Sequence, residues 1–232
     1  MSQLILEKIS AGARRLKLEV EHPTCTRIIA QLMEHRPKRH GETHCIYIWG
    51  PPGCGKTTAL KRILTTIEHL YPALTYYKKM SELSKFWDGY DNDPIVWIDD
   101  PGYFDMERHP EEAASFKNII STGPHIVEIK YGKCQFDSRL CIITSNTAPE
   151  YFASSAGSCA EAISRRIGHD SLTGRAIYCP NLHATKTKLY RRVIKCVKAI
   201  AEQYYHINID TDLVMDNLPP IVPLHVDISS SD

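Results

Sequence analysis

CIYIWGPPGCGKTT occupies residues 45–58 and joins three kinds of sequence in a fixed order. Residues 46–49 are strand-forming, residues 50–57 match the pattern G-x-x-x-x-G-K-[ST], and an apolar, helix-compatible stretch follows at once. A glycine-rich turn between a strand and a helix is the sequence signature of a phosphate-binding loop. The stretch therefore predicts a nucleotide-binding α/β core, around which the rest of the chain is arranged.

Each residue type in this loop suits the binding of a phosphate chain. Glycines lack a Cβ atom, so the backbone can adopt positive φ and point its N–H groups at an anion. Lys56 would reach the β- and γ-phosphates of ATP, Thr57 would offer its hydroxyl to Mg²⁺, and the new helix would direct its positive end at the ligand. The alternative is a glycine-rich turn that binds no ligand. The predicted nucleotide-binding residues are Gly50, Pro51, Pro52, Gly53, Cys54, Gly55, Lys56, Thr57 and Thr58.

The composition is that of an ordinary soluble globular protein with one main domain. Of the 232 residues, 24% are charged and 43% hydrophobic, and no apolar run approaches the ~18 residues of a membrane span. The eight cysteines form no C-x-x-C pair and the N-terminus has no signal-peptide pattern, which favours reduced thiols inside a cell. All 28 basic residues but only 21 of the 27 acidic ones lie within residues 1–198, so this part carries +7 and suits a polyanionic partner.

Two helices are predicted before the core. Residues 2–19 place apolar side chains at near-helical spacing with basic ones between them, which indicates an amphipathic helix. This helix would pack on the core or on a neighbouring subunit, or it would lie on a membrane surface. A second helical stretch covers residues 26–35, and residues 36–43 read as a linker into the first core strand.

A second buried strand ends in two adjacent carboxylates. Residues 95–98 are apolar and run directly into Asp99 and Asp100, as expected for a parallel strand whose carboxyl end meets the nucleotide. Asp99 would hold Mg²⁺, usually through water, and Asp100 would polarise the attacking water. The alternative is that this Asp pair only caps a strand or a helix. Residues 74–78 are expected to form an edge strand.

The middle of the chain predicts a helix, a hairpin and a third buried strand. Residues 105–122 have a helical pattern, and residues 126–136 read as a β-hairpin with a basic, aromatic tip at Tyr131-Gly132-Lys133. Residues 139–146 are a buried strand that ends in Asn146, which would sense the γ-phosphate or orient water. A turn Asn after a strand is the ordinary alternative for this residue.

The last third of the chain supplies an arginine pair and a helix. Charge that develops on a transferring phosphoryl group calls for a guanidinium, often one donated by a neighbouring subunit, so Arg165 and Arg166 are candidates for that role. Ordinary surface arginines are the alternative. Residues 185–206 present one apolar helical face, and residues 207–232 read as mostly irregular.

Six motifs occur in an order that resembles a known family. They are GPPGCGKTT, FWDGY, PIVWIDD, VEIKYGKCQF, LCIITSN and AEAISRRI. This set is similar to the superfamily 3 helicases, a group of viral ring ATPases, and in particular to the helicase domain of replication initiator (Rep) proteins of circular single-stranded DNA viruses. The resemblance covers roughly residues 43–169. It implies an α/β P-loop NTPase with a doubly wound, mainly parallel sheet.

The patterns along the chain predict how it is divided. Residues 1–42 would be a small N-terminal helical extension that serves oligomerisation, and residues 43–182 would be the ATPase core. A C-terminal helix at residues 183–206 and an acidic irregular tail at residues 207–232 would follow.

The activity implied by the resemblance is ATP-driven movement along a nucleic acid. The protein would form a ring, a hexamer, and use ATP and Mg²⁺ to pull a single strand past its hairpins, with DNA favoured over RNA. Lys130 and Lys133 would contact phosphates, and Tyr131 would stack on a base. The place of action would be the nucleus or the cytoplasm of a host cell.

The chain departs from the Rep pattern in ways that leave alternatives open. Rep proteins carry an N-terminal rolling-circle nuclease, but only 49 residues precede Gly50 and no His-x-His pair occurs, so nicking is not carried over and a separate nicking nuclease becomes a candidate partner. Tyr131 stands where a second Gly is usual. Residues 101–129 are long for a Rep and resemble the NTPases of picornavirus-like RNA viruses. One alternative is therefore such an NTPase acting on RNA at membranes through residues 2–19, and another is a nucleotide-dependent assembly or switch protein without translocation.

Overall fold

The computed structural model describes residues 42–80, 86–129, 132–167, 176–180 and 182–220. The two N-terminal helices predicted at residues 2–19 and 26–35 lie outside this part of the chain. Within the described ranges, no helix is both long enough and apolar enough to cross a membrane.

Strands form a central sheet and a separate hairpin. The strands are β1 His44–Trp49, β2 Tyr76–Met80, β3 Ile95–Asp99, β4 His125–Ile129, β5 Gly132–Phe136, β6 Leu140–Ser145 and β7 Ala176–Tyr178. The central sheet has the order β2-β3-β6-β1-β7, and all its neighbouring strands are parallel. Strands β1, β3 and β6 are nearly continuous apolar runs because both faces of the sheet are covered.

Helices cover the sheet on both sides. They are α1 Lys56–Leu70, α2 Pro110–Ile119, α3 Pro149–Ser154, α4 Ala160–Ile167, α5 Leu182–Ile200 and α6 Thr211–Asp216. Alternate residues of β1 enter different cores: Ile46 and Ile48 pack with α1 and α5, whereas Cys45 and Tyr47 pack with α2, α3 and α4. The predicted doubly wound α/β fold is therefore confirmed.

The strand register brings three carboxyl ends to one edge of the sheet. Trp49, at the end of β1, stands opposite Ser145 of β6, and Asp99, at the end of β3, stands opposite Thr144 of β6. The loop after β1 and the residues that follow β3 and β6 consequently meet at this edge, where ligands bind in open α/β sheets.

The hairpin is a two-stranded antiparallel sheet mounted on aromatic side chains. The Trp87 backbone N–H donates to the Glu128 carbonyl at 2.7 Å, and the Trp87, Tyr90 and Phe136 rings contact one another with centroids 5.5 to 5.7 Å apart. The FWDGY motif thus connects the hairpin to the core through a backbone hydrogen bond and aromatic contacts.

The hairpin predicted at residues 126–136 is confirmed, but its tip is not where the sequence placed it. Ile129 pairs with Gly132, so only residues 130 and 131 separate the strands, and both lie outside the described ranges. Lys133 belongs to β5, where it stands opposite Glu128, instead of to the turn.

Other element boundaries also differ from the sequence-based expectation. The helix predicted at residues 105–122 is shorter, Pro110–Ile119, because Pro110 starts it and the Asp105 carboxylate instead caps a turn by accepting from the N–H groups of Glu107 and Arg108. The edge strand is confirmed as Tyr76–Met80.

The C-terminal part contains more regular structure than the sequence suggested. Helix α5 ends at Ile200 and continues as a π-helical turn, Ala201–Tyr205. The tail expected to be irregular contains α6, whose N-terminus is capped because the Asp210 side chain accepts from the N–H groups of Asp212 and Leu213.

Candidate nucleotide site

The glycine-rich loop lies between β1 and α1, and its glycines are needed for different reasons. Gly53 and Gly55 have φ of 73° and 96°, which side-chain-bearing residues rarely adopt. Gly50 has no room for a side chain, because a Cβ there would collide with the backbone carbonyl of Cys179 at the end of β7. The loop is therefore shaped both by its own backbone and by the neighbouring strand.

Lys56 is held inside the loop. Its side chain is 6% exposed, and Nζ donates to the carbonyl oxygens of Gly50 at 2.9 Å and Pro51 at 2.8 Å. Nζ also donates to Asn146 Oδ1 at 3.0 Å. The ammonium group consequently connects the glycine-rich loop to the end of β6.

Asp99 receives hydrogen bonds from several segments. Thr57 Oγ1 and Thr144 Oγ1 donate to its Oδ1 at 3.0 and 2.6 Å, and Lys78 Nζ lies 2.7 Å from its Oδ2. Burial alone would raise the pKa of the Asp99 carboxyl, but the donors Lys78, Thr144 and Thr57 outweigh that effect and hold the pKa below its usual value. Asp99 is therefore a carboxylate at neutral pH.

Asp100 faces Asn146 at the same edge. Its backbone has a positive φ of 46°, and its carboxylate accepts from the Asn146 backbone N–H at 3.2 Å and from Asn146 Nδ2 at 2.8 Å. Asn146 thus bridges Lys56 and Asp100. A positive φ at a residue other than glycine costs energy, which the pair of hydrogen bonds to Asn146 helps to offset.

Of the remaining predicted site residues, Arg165, Arg166 and Lys133 belong to other elements. Arg165 and Arg166 are on α4, where Arg165 is exposed and the Arg166 guanidinium donates to the Ala162 carbonyl at 2.8 Å. Lys133 is exposed on β5, while Lys130 and Tyr131 lie outside the described ranges.

Two residues of the site were missed by sequence reasoning. Thr144 and Lys78 both contact Asp99, and Thr144 also accepts from the Trp97 indole N–H at 2.9 Å. Thr144 could have been noticed as the first polar residue after the apolar run of β6. Lys78 carries no such signal, because its contact depends on which residue of β3 stands beside it.

The residues at this edge fit a magnesium–nucleotide complex. Mg²⁺ prefers oxygen ligands, and the Thr57 hydroxyl and the Asp99 carboxylate, which hydrogen-bond to each other, are of that kind. A loop with N–H groups at a helix N-terminus suits the phosphates. The fold and this arrangement define a P-loop NTPase.

Comparison with known proteins finds similarity to a helicase family and to viral replication proteins. A family described as RNA helicase matches residues 46–147. The chain is 32% identical to the replication-associated protein of Pigeon circovirus over 164 residues, which are 70% of this chain and 42% of that protein. It is 33% identical to the genome polyprotein of Human klassevirus 1 over 117 residues, which are 47% of this chain and 5% of the polyprotein.

The solved structures that match include one of low similarity. The apo structure of the NrS-1 C-terminal region (305-718) matches with a TM-score of 0.39 and 14% identity, over 78% of this chain and 44% of that chain. The chain is similar to the superfamily 3 helicases, and among them to the Rep type, as its motifs predicted. It spans less than half the length of these curated relatives.

Proposed function

We propose that this chain is the motor part of a viral replication protein, an ATP-dependent helicase or translocase that works as a ring. The observation that carries the proposal is the bridge from Lys56 through Asn146 to Asp100, beside the contact between Thr57 and Asp99. These side chains come from distant parts of the sequence, yet they converge on one edge of the sheet.

The roles follow from the charges and the geometry. Lys56 and the loop N–H groups bind the phosphates, and Thr57 with Asp99 holds Mg²⁺, which supplies charge neutralisation on the phosphate oxygens. Asp100 orients the attacking water and accepts its proton, while the Asn146 amide, 2.8 Å from Asp100, fixes that carboxylate. The nucleotide-binding loop comprises residues 50–58 of an ATPase core at residues 43–182.

Arg165 and Arg166 complete the site of an adjoining subunit in this proposal. Arg165 is exposed on α4 and is not held by the nucleotide loop of its own chain within the described ranges, so it is available to a neighbour in a hexameric ring. Mixing an Arg165→Ala/Arg166→Ala variant with a Lys56→Ala variant should recover part of the ATPase activity, although each variant alone is inactive. If the two variants assemble together but ATPase activity does not recover, these arginines do not act on the nucleotide of an adjoining subunit.

The nucleic-acid contact is assigned to the hairpin. Lys130, Tyr131 and Lys133 would face the ring channel, where two ammonium groups neutralise phosphates and an aromatic ring stacks on a base. The resemblance of the motifs to Rep proteins of circular single-stranded DNA viruses favours single-stranded DNA as the substrate. The site of action would be the nucleus or the cytoplasm of the host, with nicking supplied by a separate nuclease.

A second candidate is an NTPase of RNA-virus type, because the chain is also 33% identical to part of the Human klassevirus 1 polyprotein. ATP hydrolysis measured with single-stranded DNA and RNA of matched sequence separates the candidates. Greater stimulation by DNA supports the Rep-like function, and greater stimulation by RNA supports the second candidate. Hydrolysis that neither strand stimulates would indicate a nucleotide switch, and no hydrolysis would contradict the proposal.

A further inference from the structure

Lys78 lies beside the candidate magnesium site although it is not part of any recognised motif. It is in β2, directly opposite Trp97 of β3, so the two side chains leave the sheet on the same face. Lys78 Nζ is 4.2 Å from the Trp97 ring centroid and 2.7 Å from Asp99 Oδ2. The ammonium group is therefore held by an aromatic face and a carboxylate at the same time.

The two oxygens of Asp99 are used differently. Oδ1 accepts from the hydroxyls of Thr57 and Thr144, both neutral donors, whereas Oδ2 faces the Lys78 ammonium. The Lys78 and Asp99 side chains are 32% and 19% exposed, so solvent screens the pair only in part. Lys78 thus places a full positive charge on the carboxylate that Mg²⁺ has to use.

We propose that Lys78 is a built-in counterion of the magnesium site, which lowers its affinity for free divalent metal and favours entry of the metal together with the nucleotide. The inference rests on the proposed nucleotide site. A fixed positive charge near Asp99 repels a free dication, because like charges at short range raise each other's free energy. The same charge attracts the phosphates of a metal-free nucleotide.

Trp97 limits the positions that the Lys78 ammonium group can take. Trp97 is 1% exposed and its indole N–H is fixed on Thr144, so the ring under the ammonium does not move away.

Metal binding without nucleotide tests the inference directly. Mn²⁺ serves as the probe, and the loss of its free electron paramagnetic resonance signal reports binding. Lys78→Met removes the charge, so the affinity for free Mn²⁺ should rise about tenfold. In EDTA, the affinity for metal-free fluorescent ATP should fall about threefold or more, because an attractive charge is lost.

Matched variants separate charge from packing. Lys78→Arg keeps the charge and should bind Mn²⁺ like the wild type. Lys79→Met changes the next residue of the same strand, which contacts Trp87 at 4.3 Å on the opposite face, and should leave both affinities unchanged. If Lys78→Met does not fold, the neutral variant Lys78→Gln replaces it in the same measurements.

The outcomes distinguish this inference from the proposed function. Unchanged or weaker Mn²⁺ binding by the neutral variants would overturn the counterion role, and so would an equal effect in Lys79→Met. If the wild type binds no Mn²⁺ even with nucleotide, the proposed nucleotide site fails instead. Tighter Mn²⁺ binding together with weaker metal-free nucleotide binding, confined to the neutral Lys78 variants, supports the inference.

Discussion

The nucleotide edge of the central sheet and the β4–β5 hairpin are built in different ways. At the edge, residues of α1, residues at the ends of β3 and β6, and the residues that directly follow these strands are joined by hydrogen bonds of 2.6 to 3.2 Å. The hairpin has its own two-stranded sheet and rests on the core through the rings of Trp87 and Phe136. On its outer side Ile126 is 60% exposed.

Under the proposed function, the two regions have different tasks. The nucleotide edge fixes polar groups to within hydrogen-bonding distance, as transfer of a phosphoryl group requires. The hairpin is anchored on one side by apolar packing and leaves the other side open, as a surface that touches a passing strand requires. Changes at the edge should therefore lower ATP turnover both with and without nucleic acid, whereas changes on the hairpin should alter only the response to nucleic acid.

The largest effect is expected from Lys56→Ala. Loss of a preorganised cation at the phosphates should lower ATP turnover about a hundredfold or more, with and without nucleic acid. The variant should also unfold more easily, by about 1–2 kcal/mol, because the carbonyls of Gly50 and Pro51 lose their buried donor. Steady-state phosphate release and chemical unfolding measure the two effects.

Lys61→Ala is the matched control, since Lys61 is an exposed lysine of the same helix. It should leave both turnover and stability near wild type. Retention of turnover in Lys56→Ala would contradict the assignment of this edge as the nucleotide site.

Substitutions of the two carboxylates at this edge should have different effects on nucleotide binding and hydrolysis. Asp99→Asn should weaken binding of the magnesium–nucleotide complex, because Asp99 contacts Thr57 and would be the metal ligand. Asp100→Asn should bind the complex but turn it over about a hundredfold more slowly, because the residue that accepts the proton is lost. Equilibrium binding of a fluorescent nucleotide, compared with single-turnover hydrolysis, separates them. Identical behaviour of the two variants would show that the roles are not divided.

Sequence reasoning was most successful where the evidence was local. Consecutive residues determine the strand, loop and helix around residues 45–58, and the same holds for the strand that ends in Asp99. The type of each of these elements could therefore be predicted. Lys78 could not be found in this way. Its contact with Asp99 depends on the register of β2 against β3, which no local pattern of the chain encodes.

The hairpin illustrates the same limit on a smaller scale. Alternating apolar residues predicted both of its strands, but the position of the turn depends on the pairing of Ile129 with Gly132. This pairing places Lys133 in β5 instead of in the turn. In the tail, the Asp-Thr-Asp sequence before α6 is a helix N-cap signal that the surrounding prolines obscured.

On the hairpin, the expected effect is confined to the response to nucleic acid. Lys130→Ala/Lys133→Ala should preserve basal ATP hydrolysis and abolish stimulation by a single strand. The salt dependence of strand binding should become shallower by roughly 0.7 for each phosphate that a lysine no longer neutralises. Stimulated hydrolysis and strand binding, measured across a salt series, report this change.

A control on another surface makes the hairpin result specific. Lys195→Ala removes an exposed lysine of α5, with the same change of net charge as one hairpin substitution. It should leave the stimulation intact. An unchanged salt slope in the hairpin variant would mean that β4 and β5 are purely structural, and the contrast between the two regions would disappear.

The smallest expected effect concerns Lys79, which joins the two regions. It belongs to β2 of the central sheet, and its Nζ lies 4.3 Å from the ring centroid of Trp87, on which the hairpin rests. Burial lowers the pKa of Lys79 from 10.5 to about 8, and Glu112 opposes this only in part. Between these two values the folded protein has released the proton while the unfolded chain still binds it. The free energy of unfolding should therefore rise as the pH increases from about 8 to 10.

Lys79→Met removes this dependence, so the difference in unfolding free energy between wild type and variant should change by about 1–2 kcal/mol across that window. Urea unfolding at closely spaced pH values measures it, and taking the difference cancels the contribution of the tyrosines that both proteins share. Lys61→Met, at an exposed position of α1, controls for the added methionine. If the wild-type and Lys79→Met curves run parallel from pH 8 to 10, the Lys79 ammonium is as well solvated as in the unfolded chain. Trp87 would then support the hairpin without a desolvated ammonium group beside it.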